Sequence, residues 1–99
     1  MADASLAITQ EYVKCFLALM GKGVFWPEDV RLSLPNQGLD QLDVMYVMSH
    51  GEVIEAEKET ADGTIYIMIG NTCDDVPIRT EFWADLNQLS LRILSVERI

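Results

Sequence analysis

Between Glu52 and Val96 the chain reads as four strand-forming runs, residues 52–58, 64–69, 76–84 and 89–96, and this spacing constrains the fold more than any other feature. The segments between the runs are too short for the crossover that a parallel pair needs, so each successive pair is expected to be antiparallel. Asp62-Gly63 is the sharpest turn signal, with Asn71 to Asp75 and Asp85 to Gln88 marking the other two reversals. In the third run Ile78, Thr80, Phe82 and Ala84 fall on one face, and Arg79, Glu81 and Trp83 on the other. Pro77 is tolerable near the start of that strand. The second run is almost wholly apolar, which places it centrally with cover on both sides. Leu91 and Ile93 are expected to point inward from the last.

Helical spacing precedes the strands. Ser5 can cap a helix reaching about Met20, in which Val13, Phe16, Leu17 and Met20 form one stripe, and Gly21 and Gly23 stop it. Residues 24–34 carry conflicting signals. Pro27-Glu28-Asp29 resembles a first helical turn while Val30 to Leu34 alternates like a strand; a short helix is the favoured reading. After the loop-forming Pro35-Asn36-Gln37-Gly38, Asp40 starts a second helix through Leu42, Val44, Met45, Val47 and Met48. Gly51 closes it as a C′ residue, behind Ser49-His50 in the last turn. The expected fold is a single α+β domain over residues 1–99, with N-terminal helices packed on a four-stranded antiparallel meander.

The apolar runs Val44 to Met48 and Ile65 to Ile69 are far below the roughly 18 residues a membrane-spanning helix needs. Met1-Ala2-Asp3 has no basic region ahead of an apolar stretch, unlike a secretory signal. Cys15 and Cys73 show no metal-binding spacing and read as two reduced thiols of a cytoplasmic protein, with one disulfide as the alternative.

The 16 acidic and 7 basic residues give a net charge of -9, concentrated in the middle of the chain. Residues 40–85 hold eleven acids and two bases. Such a field opposes direct binding to nucleic acid or to an anionic membrane, because both depend on Lys and Arg meeting phosphate.

No catalytic set emerges. His50 is the sole histidine and fits a helix C-terminus, where the dipole favours it. Glu28-Asp29 and Asp74-Asp75 lack the calcium-loop pattern around them and read as solvated turns, so neither metal nor cofactor is expected. Gly21-Lys22-Gly23 lacks the rest of a phosphate loop. Met20, Met45, Met48 and Met68 occupy apolar positions and read as core fillers. Glu55, Glu57 and Glu59 recur every second residue, which on a plain strand puts the carboxylates on one side about 6.6 Å apart. Trp83 is expected on the less buried sheet face beside Glu81, and Trp26 is harder to place.

From Leu42 onward, the order Asp43-Val44, Ser49-His50-Gly51-Glu52-Val53-Ile54-Glu55, Asp62-Gly63, an apolar strand ending at Gly70, then Pro77-Ile78 resembles a family of small domains grouped with the RelE- and BrnT-like toxin superfamily. The likeness covers a little over half of the chain. It implies the same helices-then-meander fold and, for RNA-cleaving members, basic or aromatic side chains on the sheet; here those would be Tyr66, Arg79, Arg92 and His50. The chain departs from that pattern in its acidic balance, and in carrying Glu11-Tyr12 where the family often has a His-Ala pair followed by arginines.

The function expected from these features is a non-enzymatic acidic domain that docks on the basic, nucleic-acid-binding surface of another protein, in the manner of an inhibitor, immunity protein or antitoxin. Its candidate contact residues are Glu55, Glu57, Glu59, Asp74, Asp75, Glu81 and Trp83. A degenerate toxin-like ribonuclease and a homo-oligomer pairing through exposed strands are the alternatives.

Overall fold

A computed structural model of the chain describes residues 11–14, 24–85 and 90–99. Among the described residues, one sheet contains β1 (Val24–Phe25), β2 (Glu52–Glu59), β3 (Thr64–Asn71), β4 (Pro77–Asp85) and β5 (Ser90–Arg98), in the spatial order β1-β5-β4-β3-β2. The four longer strands pair antiparallel in chain order, as their short connections require. β1 instead runs parallel to β5, with Val24 opposite Leu91 and Phe25 opposite Arg92. The expected four-stranded meander is thus corrected to a five-stranded mixed sheet. Two residues are too few to show a strand period, and β1 exists because the outer edge of β5 offers backbone groups to pair with.

The conflict over residues 24–34 resolves into that strand followed by helix α1 (Glu28–Ser33), then a 3-10 turn at Pro35–Gln37. Helix α2 (Gln41–His50) starts where expected. The Asp43 amide donates to Asp40 Oδ1 at 2.9 Å, and the Asp40 amide donates back to Asp43 Oδ2 at 3.0 Å, a reciprocal cap that satisfies two otherwise unpaired donors. Residues 11–14 are helical and Val13 is fully buried. The remainder of the helix expected over residues 5–20, its glycine stop and Cys15 lie outside the described residues, as does most of the turn expected at 85–88, whose Asp85 belongs to β4. No helix among the described residues is long and apolar enough to cross a membrane.

One core joins Val13, Val30, Leu34, Val44, Val47 and Met48 to Met68, Ile78, Phe82, Leu91 and Ile93. α2 contacts β3, and α1 contacts β5. The contact of α2 with β3 is close because two glycines meet there. A Cβ on Gly70 would lie 2.9 Å from the Gly51 Cα and 3.1 Å from Val47 Cγ1. Gly51 has φ -80 and ψ -170, extended rather than the left-handed backbone of a C′ glycine, so the reason for glycine here is space.

β5 has a second neighbour beyond β1. Gln37 donates through Nε2 to the Val96 carbonyl at 2.9 Å and accepts from the Arg98 amide through Oε1 at 3.0 Å. The side-chain amide imitates a peptide group and continues the pairing past the end of β1. Arg98 also donates from its guanidinium to the Gln37 carbonyl at 2.9 Å.

Candidate functional site

The register divides the sheet residues into two faces. Val24, Leu91, Ala84, Thr64 and Glu59 form a cross-strand row on the helix-covered face, and Ile93, Phe82, Tyr66 and Ala56 form the next. On the other face, one row runs Phe25, Arg92, Trp83, Ile65, Lys58; a second runs Ser95, Glu81, Ile67, Glu55; a third runs Glu97, Arg79, Ile69, Glu52. This second face is the candidate site.

The evenly spaced row expected for Glu55, Glu57 and Glu59 is corrected by the pairing of β2. Val53 faces Met68 while Glu55 faces Ile67, leaving Ile54 as an extra residue; Ala56 faces Tyr66 while Lys58 faces Ile65, leaving Glu57 as another. Each bulge moves the alternation on by one residue. Glu55 therefore shares the open face with Glu81, whereas Glu59 pairs with Thr64 on the helix side. Glu57, in the second bulge, reaches Glu81 across β3 and hydrogen-bonds its carboxyl group.

A hydrogen bond between two carboxyl groups needs a proton on one of them. That bond, followed by partial burial and the charge of Glu57, raises the Glu81 pKa above the ordinary glutamate value, while Arg79 acts in the opposite direction. Beneath this acidic cluster Ile67 is only 4% exposed although it belongs to the open face and lies outside the main core. Its row neighbours are Glu55 and Glu81, whose methylene stems can cover apolar surface while the carboxylates stay in water. The expectation that β3 is covered on both sides thus holds most fully at Ile67; Ile65 and Ile69 are half-buried.

Trp83 is positioned by the β2–β3 turn. Thr60 Oγ1 accepts from the Gly63 amide at 3.0 Å and donates to the Gly63 carbonyl at 2.8 Å, closing the turn. The indole packs so near Gly63 that a Cβ there would approach it to 2.8 Å. On its other side the Arg92 guanidinium carbon stands 5.9 Å from the Trp83 ring and 5.0 Å from the ring of Phe25, which is 55% exposed. Arg79, Glu81 and Trp83 are all half-buried, as the alternation of β4 predicted.

Asp74 and Asp75 do not join this face. They lie in the turn between β3 and β4, where Asp75 adopts φ 65 and accepts from Asn71 Nδ2 at 2.9 Å. Asp74 instead approaches Asp43 and Cys73, whose potential ligand atoms lie within 4.8 Å of one another; Asp74 and Cys73 are exposed. Of the seven contact residues proposed from sequence, the fold assembles Glu55, Glu57, Glu81 and Trp83.

The residues that the toxin resemblance marked are dispersed. Tyr66 is buried on the helix side, stacked on Phe82 with ring centroids 5.6 Å apart, while Arg79 and Arg92 stand on the open face. His50 stacks on Tyr46 at 4.2 Å at the end of α2, and its Nδ1 lies 3.0 Å from the Tyr46 carbonyl. Tyr66 cannot meet a substrate held by the two arginines without passing through the sheet. Neither the place of Ile54 nor the Phe25–Arg92 contact is signalled in the sequence. The first depends on a bulge and the second on the two-residue strand. Comparison of the chain with family models, with curated proteins and with solved structures finds no match.

Proposed function

We propose that the open sheet face is a protein-binding surface that receives Lys or Arg side chains from a basic partner, a surface of the kind that binds nucleic acid. The observation that carries this reading is the crowding of Glu55, Glu57 and Glu81 around Ile67, with no ion pair to any of the three among the described residues. Like charges brought together on a sheet weaken the free protein slightly, and an incoming cation removes that penalty while gaining its own hydrogen bonds. Ile54, Ile65 and Trp83 supply apolar and aromatic contact area beside the carboxylates, the mixture that interface centres favour.

Binding is recognition by the face and not by the sheet edge. β2 is the outer strand, but its two bulges and the charges of Glu52, Glu55, Glu57, Lys58 and Glu59 oppose the addition of another strand.

The test uses a short Lys- and Arg-rich peptide as probe, titrated into the full chain by calorimetry across a salt series. Wild type should bind, and binding should weaken as salt screens the cluster. Reversal to Lys at Glu55, Glu57 and Glu81 should abolish it. The matched control reverses Glu59, Asp74 and Asp75, which changes net charge equally but lies off the face. Equal loss in the two triple variants would show that only overall charge attracts the peptide, and the face would have no role.

A further inference from the structure

We propose that two copies of this chain associate about a two-fold axis through the groove between α1 and α2, a surface separate from the acidic sheet face. The groove encloses about 570 Å³ and has Leu34 and Leu39 buried in its floor. Leu32 on the α1 side is 65% exposed and Leu42 on the α2 side is 78% exposed. Two leucines left in water on the walls of one groove form an apolar patch that a contact would cover.

Charge selects the occupant. Arg31 stands on the α1 wall and Asp40 on the α2 wall, so the groove carries one positive and one negative group in a chain whose net charge is -9. Arg31 makes no ion pair among the described residues. With the two-fold axis running along the groove, each wall faces the opposite wall of the other copy. Arg31 of each copy then meets Asp40 of the other, and Leu32 meets Leu42. A basic partner finds less here than on the sheet face, since the groove offers a single acid, Asp40, beside a cation of its own, Arg31.

Two copies bearing the same net charge repel at long range, so salt should strengthen this association. That is the reverse of its effect on peptide binding at the sheet face, and the two contacts are thereby separable.

Sedimentation velocity on the full chain, from low micromolar to near-millimolar concentration at low and high salt, should show a monomer–dimer equilibrium shifted to dimer by salt. Leu32→Lys and Leu42→Lys should each weaken the dimer at least about tenfold, the loss of one central apolar contact. Both positions are exposed, and circular dichroism checks their folding. Arg31→Glu should weaken self-association, and mixing it with Asp40→Arg should give a heterodimer in which both charge pairs are restored. Leu42→Lys keeps the test intact should the loss of the Asp40 cap unfold its variant. Reversal of Glu55, Glu57 and Glu81 should not weaken the dimer, and at low salt should favour it by lowering the net negative charge. A monomer under all conditions, or a dimer indifferent to both leucine substitutions, would overturn the proposal.

Discussion

Replacing Gly51 by Ala is the most demanding test of how the helix layer is seated on the sheet. A Cβ at this position would lie 2.6 Å from the Ile69 carbonyl oxygen and 2.6 Å from that of Val47. Carbon and carbonyl oxygen ordinarily approach to about 3.3 Å, so the chain must open by about 0.7 Å on two sides. Neither oxygen belongs to a flexible side chain. Val47 lies in the last turn of α2, and Ile69 is in β3, which is paired on both sides by β2 and β4. Overpacking against fixed backbone costs about 3 kcal/mol at the upper end of the usual range, and for a domain of this size that lowers Tm by about 12–24 °C. Gly38→Ala is the comparison. Its φ of 71 disfavours a side chain, but a Cβ there meets only an Arg98 guanidinium nitrogen at 3.6 Å, so about 1 kcal/mol is expected from backbone conformation alone. Urea denaturation followed by circular dichroism measures both. A Gly51→Ala variant no less stable than Gly38→Ala would refute the close packing of α2 on β3.

Two other perturbations address the edge of β5 and the acidic cluster. Gln37→Ala removes the side-chain partner of the Val96 carbonyl and the Arg98 amide, and should cost about 1 kcal/mol with faster hydrogen exchange at Arg98; unchanged exchange there would mean that solvent already reaches the edge. For Glu81 the folded-state pKa is raised, so the folded chain holds this proton more tightly than the unfolded chain, and the group's contribution to stability is lost as pH rises from the ordinary glutamate range through the raised value. Glu57→Gln should therefore stabilise the fold at neutral pH by about 0.2–1 kcal/mol and flatten this pH dependence, measured by urea denaturation between mildly acidic and neutral pH; a variant with the wild-type pH profile would show that Glu57 does not perturb Glu81.

The parts of the fold that could be read from sequence are those in which a local signal and the tertiary demand coincide. From Pro77 to Ala84 β4 alternates without interruption, and the buried residues there, Ile78, Thr80, Phe82 and Ala84, are the four that alternation assigns to one face; only Asp85, the last residue of the strand, is buried out of phase. α2 begins at Asp40 because the cap is a local event among Asp40, Asp43 and the intervening backbone. β1 was not legible, since its pairing depends on an edge some 70 residues away and not on its own two side chains. For Gly51 the sequence marks the position but not the reason: a helix followed by glycine reads the same whether the need is a left-handed dihedral or the passage of β3.

β2 held a signal that strict alternation obscured. Val53 has the same parity as Glu55, Glu57 and Glu59, so a plain strand that buries Val53 under α2 would turn three glutamates toward the apolar layer. The alternative register would expose Val53 and leave Met68 without its partner. Inserting Ile54 as an extra residue removes this conflict, because Val53 stays buried beside Met68 while Glu55 moves to the open face. The second bulge, at Glu57, returns Glu59 to the helix side only where β2 is already exposed, so that carboxylate remains in water. The bulges therefore have two effects with one cause. They keep charge out of the core and they gather Glu55 and Glu57 beside Glu81, so the acidic cluster is a consequence of how this sequence must pair to bury Val53. The geometry of the proposed binding face is in that sense set by the core beneath it, and a substitution that freed Val53 from burial would disperse the carboxylates without touching one of them.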